Sequence, residues 1–202
     1  IGGGTTYLYG LTANSTFNSL KDVVLTSSKL RLYDIEFNAN NDLWISNSGS
    51  TLYFSNADVN INGDFIVDTV GFPNHSYDFY VYDQSNVVVG GEYRGGLNAL
   101  YVYFYVSDAS SFTVNEEATL SYRSLSISDS ELNFESNFNL ISNNTTSYFY
   151  GSMINVLDTL TIYNGASGAA RLNVSDCEIK VLGGLDLQPN TRFYLDDYSI
   201  LD

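Results

Sequence analysis

Residues Leu52–Val67 read LYFSNADVNINGDFIV, and the apolar residues fall in three pairs: Leu52 with Phe54, Val59 with Ile61, Phe65 with Val67. Within each pair the spacing is two, the period that returns a side chain to the same side of a β-strand. Polar breaks at Ser55–Asp58 and Asn62–Asp64 separate the pairs. With Asn56 as position zero, the apolar offsets are −4, −2, +3, +5, +9 and +11, and small Ala57 sits at +1. The template returns around Asp129, with Leu125, Ile127, Ser130, Leu132, Phe134, Phe138 and Leu140. It returns again around Asp176, with Leu172, Val174, Cys177, Ile179, Val181, Leu185 and Leu187.

Other copies depart from it in small ways. Around Asp34 the slots hold Leu30, Leu32, Ile35, Phe37, Ala39, Leu43 and Ile45. Around Asp83 and Asp108 the residues after position zero are displaced by one, as a single inserted residue or bulge would displace them. These are Val87, Val89 and Tyr93 in one copy, and Phe112, Val114, Ala118 and Leu120 in the other, where Ala109 also falls on the template. Around Gly151, Ser147 replaces the first apolar residue. A last copy opens with Phe193, Leu195 and Asp197 and stops at Asp202. The stretch Gly2–Leu25 fits loosely.

A repeat of roughly 22–25 residues, with three short strands and no helical period, predicts an all-β parallel β-helix of about eight rungs. Strands of successive rungs pair in three parallel sheets, and side chains at one offset stack about 4.8 Å apart. The crossover preference of parallel strands makes the coil right-handed. The whole chain, 1–202, is one domain, with residues 1–27 as an irregular first rung, 28–202 as regular rungs, and the last rung incomplete. Position zero holds Asp34, Asn56, Asp83, Asp108, Asp129, Gly151, Asp176 and Asp197. These residue types tolerate the left-handed backbone of a tight corner.

Composition narrows the partners. The net charge is −15, and the eight basic residues are scattered without a cluster to neutralise phosphates, which argues against nucleic acid and polyanions. No apolar run reaches the ~18–20 residues of a membrane span. Charged residues make up 15% of the chain, against about 25% in typical soluble domains; Asn, Ser, Thr and Tyr supply the polar surface instead. The single Cys177 cannot form an internal disulfide, and at a +1 slot it reads as a buried small residue. The chain begins at Ile1 without an initiator Met, which we read as a processed or excised form of a secreted protein.

The rung template resembles the right-handed parallel β-helix superfamily, which includes pectin-lyase-like enzymes, tailspikes, autotransporter passengers and haemagglutinin-like adhesins. The resemblance covers residues about 28–202 and rests on the template alone, so it implies a fold and not an activity. Its lyase members carry a calcium-binding carboxylate cluster with an Arg or Lys base. Its polygalacturonase-like members carry paired aspartates, a Gly-His-Gly turn and an Arg-Ile-Lys stretch. None of these motifs occurs here, and the only histidine, His75, lies in a loop with Pro73. Two carboxylates suffice for a glycosidase, and Glu116–Glu117 and Asp196–Asp197 are the acidic pairs available. A ladder of position-zero aspartates repels itself unless hydrated or bridged by cations. Asn56 and Gly151 interrupt that ladder, the nonapeptide calcium repeat is absent, and no metal or cofactor is assigned.

The outward surface is more telling. Offset −3 lies between two inward residues and holds Arg31, Tyr53, Tyr80, Tyr105, Ser126, Tyr148, Asn173 and Tyr194 in turn, with Tyr33, Tyr82 and Tyr150 at offset −1. A strip of phenols suits sugar rings or another protein surface. Sequons occur at Asn14, Asn74, Asn143, Asn144 and Asn173, no more than this composition produces by chance. No capping helix flanks either end, so Ile1, Phe193, Leu195 and Ile200 read as assembly ends for head-to-tail stacking of copies. The reading is a non-enzymatic extracellular or cell-surface protein, a filament subunit or adhesin stalk that binds itself and surface glycans. The alternative is a tailspike-like, carbohydrate-degrading β-helix.

Overall fold

A computed structural model describes residues 2–9, 15–46, 51–68, 76–96, 101–142, 145–165, 169–196 and 198–202. Its 25 strands contain no helix among them and pair in parallel throughout. The chain coils as an all-β parallel solenoid with three strands per rung and about seven turns, close to the eight rungs the repeat predicts. The first face carries the strands before position zero, the second those holding offsets +3 and +5, and the third those holding +9 and +11. The second face is a separate sheet of nine strands. The first and third are joined into one 16-stranded sheet through a single long strand, Val23–Tyr33. The first half of that strand pairs with Leu43–Ser46 on the third face, and its second half pairs with Thr51–Ser55 on the first.

The register stacks like on like. Leu32, Phe54, Val81, Val106, Ile127, Phe149, Val174 and Leu195 form one inward column, each paired with the next. Phe54, Ile127 and Val174, which the template places in one environment, are all buried there. Large rings fill the middle of the core. Phe79, Phe104 and Phe112 meet edge to face with centroids 5.1–5.9 Å apart, an arrangement that adds about 0.5–1.5 kcal/mol per pair beyond burial. Tyr93 is fully buried beside Gly95, where an added Cβ would lie 2.5 Å from the Tyr93 hydroxyl. One large residue is thus matched by a missing side chain in the same strand.

The corners follow the sequence reading and then go beyond it. Asp34, Asn56, Asp83, Asp108, Asp129, Gly151 and Asp176 all have φ between 47° and 60°. Asp197 lies outside the described residues. In the two displaced rungs a second residue, Gln84 or Ala109, is also left-handed, and pairing then resumes at Asn86 with Asp58 and at Ser111 with Glu131. The inserted residue is therefore confined to the turn. Ala109 is exposed, and Ser110 takes the buried small slot beside the corner.

That slot is a hydroxyl ladder. Backbone N–H groups donate from Ala57 to Ser85 Oγ (3.1 Å), Ser85 to Ser110 Oγ (3.1 Å), Ser110 to Ser130 Oγ (3.3 Å) and Ser130 to Ser152 Oγ (3.2 Å). Ser152 N–H donates to Cys177 Sγ (3.4 Å), and Cys177 N–H donates to Ser199 Oγ (3.3 Å). Several of the hydroxyls donate back to their own rung, as Ser130 Oγ does to the Ser128 carbonyl (2.8 Å) and Ser152 Oγ to that of Tyr150 (2.7 Å). Each such side chain thereby satisfies one buried acceptor and one buried donor. Cys177 is a buried small residue as expected; it lies in the core and also takes a serine's place in the ladder.

At the second corner, carboxylates take over the same task. Asp42 Oδ1 accepts from Asp64 N–H and Asp64 Oδ1 from Glu92 N–H, both at 2.9 Å. The carboxylate of one rung sits over Gly63 or Gly91 of the next, where an added Cβ would lie 2.1–2.2 Å from it.

Candidate functional site

The outward side of the first face collects the tyrosines. Register aligns Arg31, Tyr53, Tyr80, Tyr105 and Ser126, and then Tyr148, Asn173 and Tyr194, in one column along the rod. Strand alternation places Tyr33 and Tyr82 in the neighbouring column. In the first half of the rod these rings pack on one another. Tyr33–Tyr53 centroids lie 5.4 Å apart, Tyr53–Tyr82 5.0 Å and Tyr80–Tyr105 5.2 Å, the last pair nearly parallel at 6°. The Arg31 guanidinium lies 5.7 Å from the Tyr53 ring centroid, within cation–π range.

Burial in this block pushes the phenols of Tyr53, Tyr80 and Tyr82 above their ordinary pKa, Tyr82 most of all, with neighbouring tyrosines and the Asp83 and Asp108 carboxylates adding to it. Burial also raises the carboxyl of Asp78 beside the block. The block is therefore a partly dry mat of neutral phenols. Tyr80 and Tyr105 turn their faces toward each other, while Tyr53 and Tyr82 meet edge to face.

Ser126 breaks the mat. Beyond it Tyr148, Tyr150 and Tyr194 stand open, at 54%, 52% and 46% exposure. The five tyrosines singled out from sequence thus share one column but divide into a self-packed group (Tyr53, Tyr80, Tyr105) and an open group (Tyr148, Tyr194).

The coil also sorts charge, which the linear sequence does not display. Lys29, Arg31, Arg171 and Arg192 all lie on strands of the first face, and Asp78 is the acidic residue within its described strands. The second face carries Glu36, Asp58, Glu131 and Glu178, along with rung-to-rung amide ladders. Asn38 donates to Asn18 and Asn60 to Asn38, both at 2.9 Å, and Asn155 donates to Asn133 at 2.7 Å. The basic residues are therefore not simply scattered: Arg171 and Arg192, 21 positions apart in sequence, are direct partners across adjacent strands. Arg94 and Lys180, by contrast, are paired with Glu92 and Glu178.

The acidic pairs weighed as catalytic candidates occupy corners. Glu116 and Glu117 are exposed at the second corner, and Glu117 Oε1 accepts a bond from Asn139 Nδ2 at 2.8 Å. Asp196 accepts from the hydroxyls of Ser175 and Ser199 and from the N–H groups of Asp176 and Tyr198. These bonds hold its carboxyl down to about 2, the state of a permanent hydrogen-bond acceptor in a turn. Asp197 lies outside the described residues.

The position-zero carboxylates likewise find neutral partners. Asp34 accepts from Asn56 Nδ2 (2.7 Å) and Asp83 from Ser55 Oγ (2.6 Å), while Asp129 lies over Gly151. A shallow groove of about 500 Å³ passes Gly151, lined by Asp129, Glu131, Ser152, Met153, Asp176 and Glu178 among others. Among the described residues no three His, Cys, Asp or Glu side chains are grouped to share a metal ion.

Of the sequons, Asn173 is half-buried on the first face between Tyr148 and Tyr194; Asn14, Asn74, Asn143 and Asn144 lie outside the described residues, as do Ile1, Pro73 and His75. At the far end Phe193 packs partly against the core, while Leu195 and Ile200 are exposed. No helix of the described residues is long and apolar enough to cross a membrane. No protein-family profile, curated protein sequence or solved structure matches this chain.

Proposed function

We propose that this is a non-enzymatic structural or adhesive protein of the cell exterior, a filament subunit or adhesin stalk that stacks end to end and presents the tyrosine face to its surroundings. One observation carries the reading. The core columns run from rung to rung and arrive at Leu187, Leu195 and Leu201 with 40–44% of each side chain exposed. Strands Gly184–Leu187, Thr191–Leu195 and Ile200–Leu201 thereby offer a further rung, whether it comes from the same polypeptide or from a second copy, the same apolar slots and the same parallel strand edge that every internal rung offers its successor. A copy that docks there extends the rod by a heterologous contact, which propagates without closing.

The surface chemistry supports the exterior setting, since few charged and many neutral polar side chains clothe the rod, and its amides and phenols are engaged with each other from rung to rung. Electron microscopy of the purified chain tests the proposal. Long fibres one coil wide are the expected image, and Leu195→Glu with Leu201→Glu shortens them to single rods. Monodisperse rods at all concentrations of the parent protein refute end-to-end stacking. Release of reducing ends from polysaccharides by the parent, lost on replacing Glu116 and Glu117 with amides, refutes the non-enzymatic reading.

A further inference from the structure

Arg171 and Arg192 are neighbours across adjacent strands, so their side chains leave the first face about 5 Å apart. Both are exposed, and among the described residues no carboxylate pairs with either, although the chain carries 23 acidic residues. Among the described residues the Arg192 guanidinium donates to a phenol, the Tyr194 hydroxyl at 3.5 Å. The corner aspartate that follows Arg171 is Asp176, five residues along an extended strand. That is about 16 Å away, beyond the roughly 8 Å over which charge is felt at physiological salt. Asp196, four residues past Arg192, lies about 13 Å along its strand, so among the described residues these two like charges are held side by side without a paired counter-ion.

The flanking positions are chemically specific. Tyr148, Asn173 and Tyr194 form the adjacent column, with one open phenol on either side of an amide. Two guanidiniums a rung apart bind a planar carboxylate through parallel N–H donors. The open tyrosine faces take the apolar side of a pyranose ring, and the Asn173 amide can donate to and accept from ring hydroxyls. The overall charge of −15 repels a polyanion, so the ligand is a neutral sugar chain carrying a single acid.

We infer that Arg171, Arg192, Tyr148, Asn173 and Tyr194 form a site for an oligosaccharide bearing one carboxylated sugar, with the carboxylate between the two arginines and a pyranose ring on a tyrosine. The inference rests on reading the first face as adhesive and names its ligand class.

Isothermal titration and saturation-transfer NMR test it, using protein made in a host that leaves Asn173 unmodified. The probes are lactose capped with one sialic acid, the same trisaccharide with its carboxylate converted to the amide, and lactose capped with one glucuronic acid. The parent is expected to bind an acid form about tenfold more tightly than the amide, the size of one charge-assisted contact. The double variant R171Q/R192Q then binds acid and amide alike, and Y148A weakens both, with circular dichroism unchanged in each.

Equal binding of acid and amide by the parent overturns the carboxylate assignment and leaves the adhesive reading in place. A preference that survives R171Q/R192Q overturns the location. Failure to bind any of the three probes overturns the site, and fibre formation in the same sample shows whether end-to-end stacking stands without it.

Discussion

Replacing Ser130 with alanine puts the hydroxyl ladder to a quantitative test. Ser130 Oγ accepts the Ser110 amide at 3.3 Å and donates to the Ser128 carbonyl at 2.8 Å, and the residue is 7% exposed. Truncation removes both bonds and leaves the buried Ser110 N–H without its protein partner. Such a donor costs about 1–3 kcal/mol. The expected loss is therefore about 2 kcal/mol, a drop of roughly thirtyfold in the folding equilibrium. Ser126→Ala, on the outward side of the first face, is the control and stays within about 0.5 kcal/mol of the parent.

Urea unfolding followed by far-ultraviolet circular dichroism measures both variants, with unchanged m-values showing that the cooperative unit is intact. The reverse change, Cys177→Ser, gives the ladder a stronger acceptor than the Sγ now 3.4 Å from the Ser152 amide, and is expected to leave stability equal or slightly higher. If Ser130→Ala behaves like Ser126→Ala, the ladder is incidental and the reasoning about the slot is wrong.

Two further predictions concern backbone fit and pH. Gly91→Ala should destabilise by more than about 2 kcal/mol, because the new Cβ meets backbone of Gly63 at 3.0 Å as well as the Asp64 carboxylate. Gly151→Asn should be neutral or stabilising by up to about 1 kcal/mol. There the obstacle is only the movable end of Asp129, and Asn56 over Asp34 shows the same pairing already made. Equal losses for both in urea melts would contradict this. Burial holds the phenols of Tyr82, Tyr93 and Tyr122 above their ordinary range, so the folded state retains protons that the unfolded chain releases. Stability from these groups is complete below about pH 10 and declines as the pH rises past it. Tyrosinate absorbance should complete its rise only with loss of the circular dichroism signal; full ionisation of all 17 tyrosines in the intact fold would contradict it.

The architecture was legible in the sequence because burial alone dictates the alternation at Leu52–Phe54 and Val59–Ile61, and a left-handed corner restricts position zero to Asp, Asn or Gly. The displaced copies were legible for the same reason: an inserted residue moves Val87 and Phe112 together with their strands. The hydroxyl ladder was not, because a small residue beside a corner looks the same whether it fills space or exchanges hydrogen bonds. Only the distances from the Ser110 amide to Ser130 Oγ and from the Ser130 amide to Ser152 Oγ tell the two apart. The placement of Tyr53, Tyr80 and Tyr105 in one column followed from the offset, as did the breaks at Ser126 and Asn173 beside the open Tyr148 and Tyr194, but the tilt of the packed rings did not. The Arg171–Arg192 pair was not legible for another reason: both lie at offset −5, just outside the apolar slots and the tyrosine offsets that make up the template.

Confining the extra residue to Gln84 and Ala109 has a genetic consequence. Strand pairing is restored two residues later, at Asn86 and Ser111, so a change of length in one coil leaves the coils above and below untouched. Single-codon insertions at these corners are accordingly absorbed without rewriting the interior, whereas gain or loss of a whole coil would have to re-match fits such as Gly63 under Asp42. Selection on corner length and selection on the buried columns can then proceed separately.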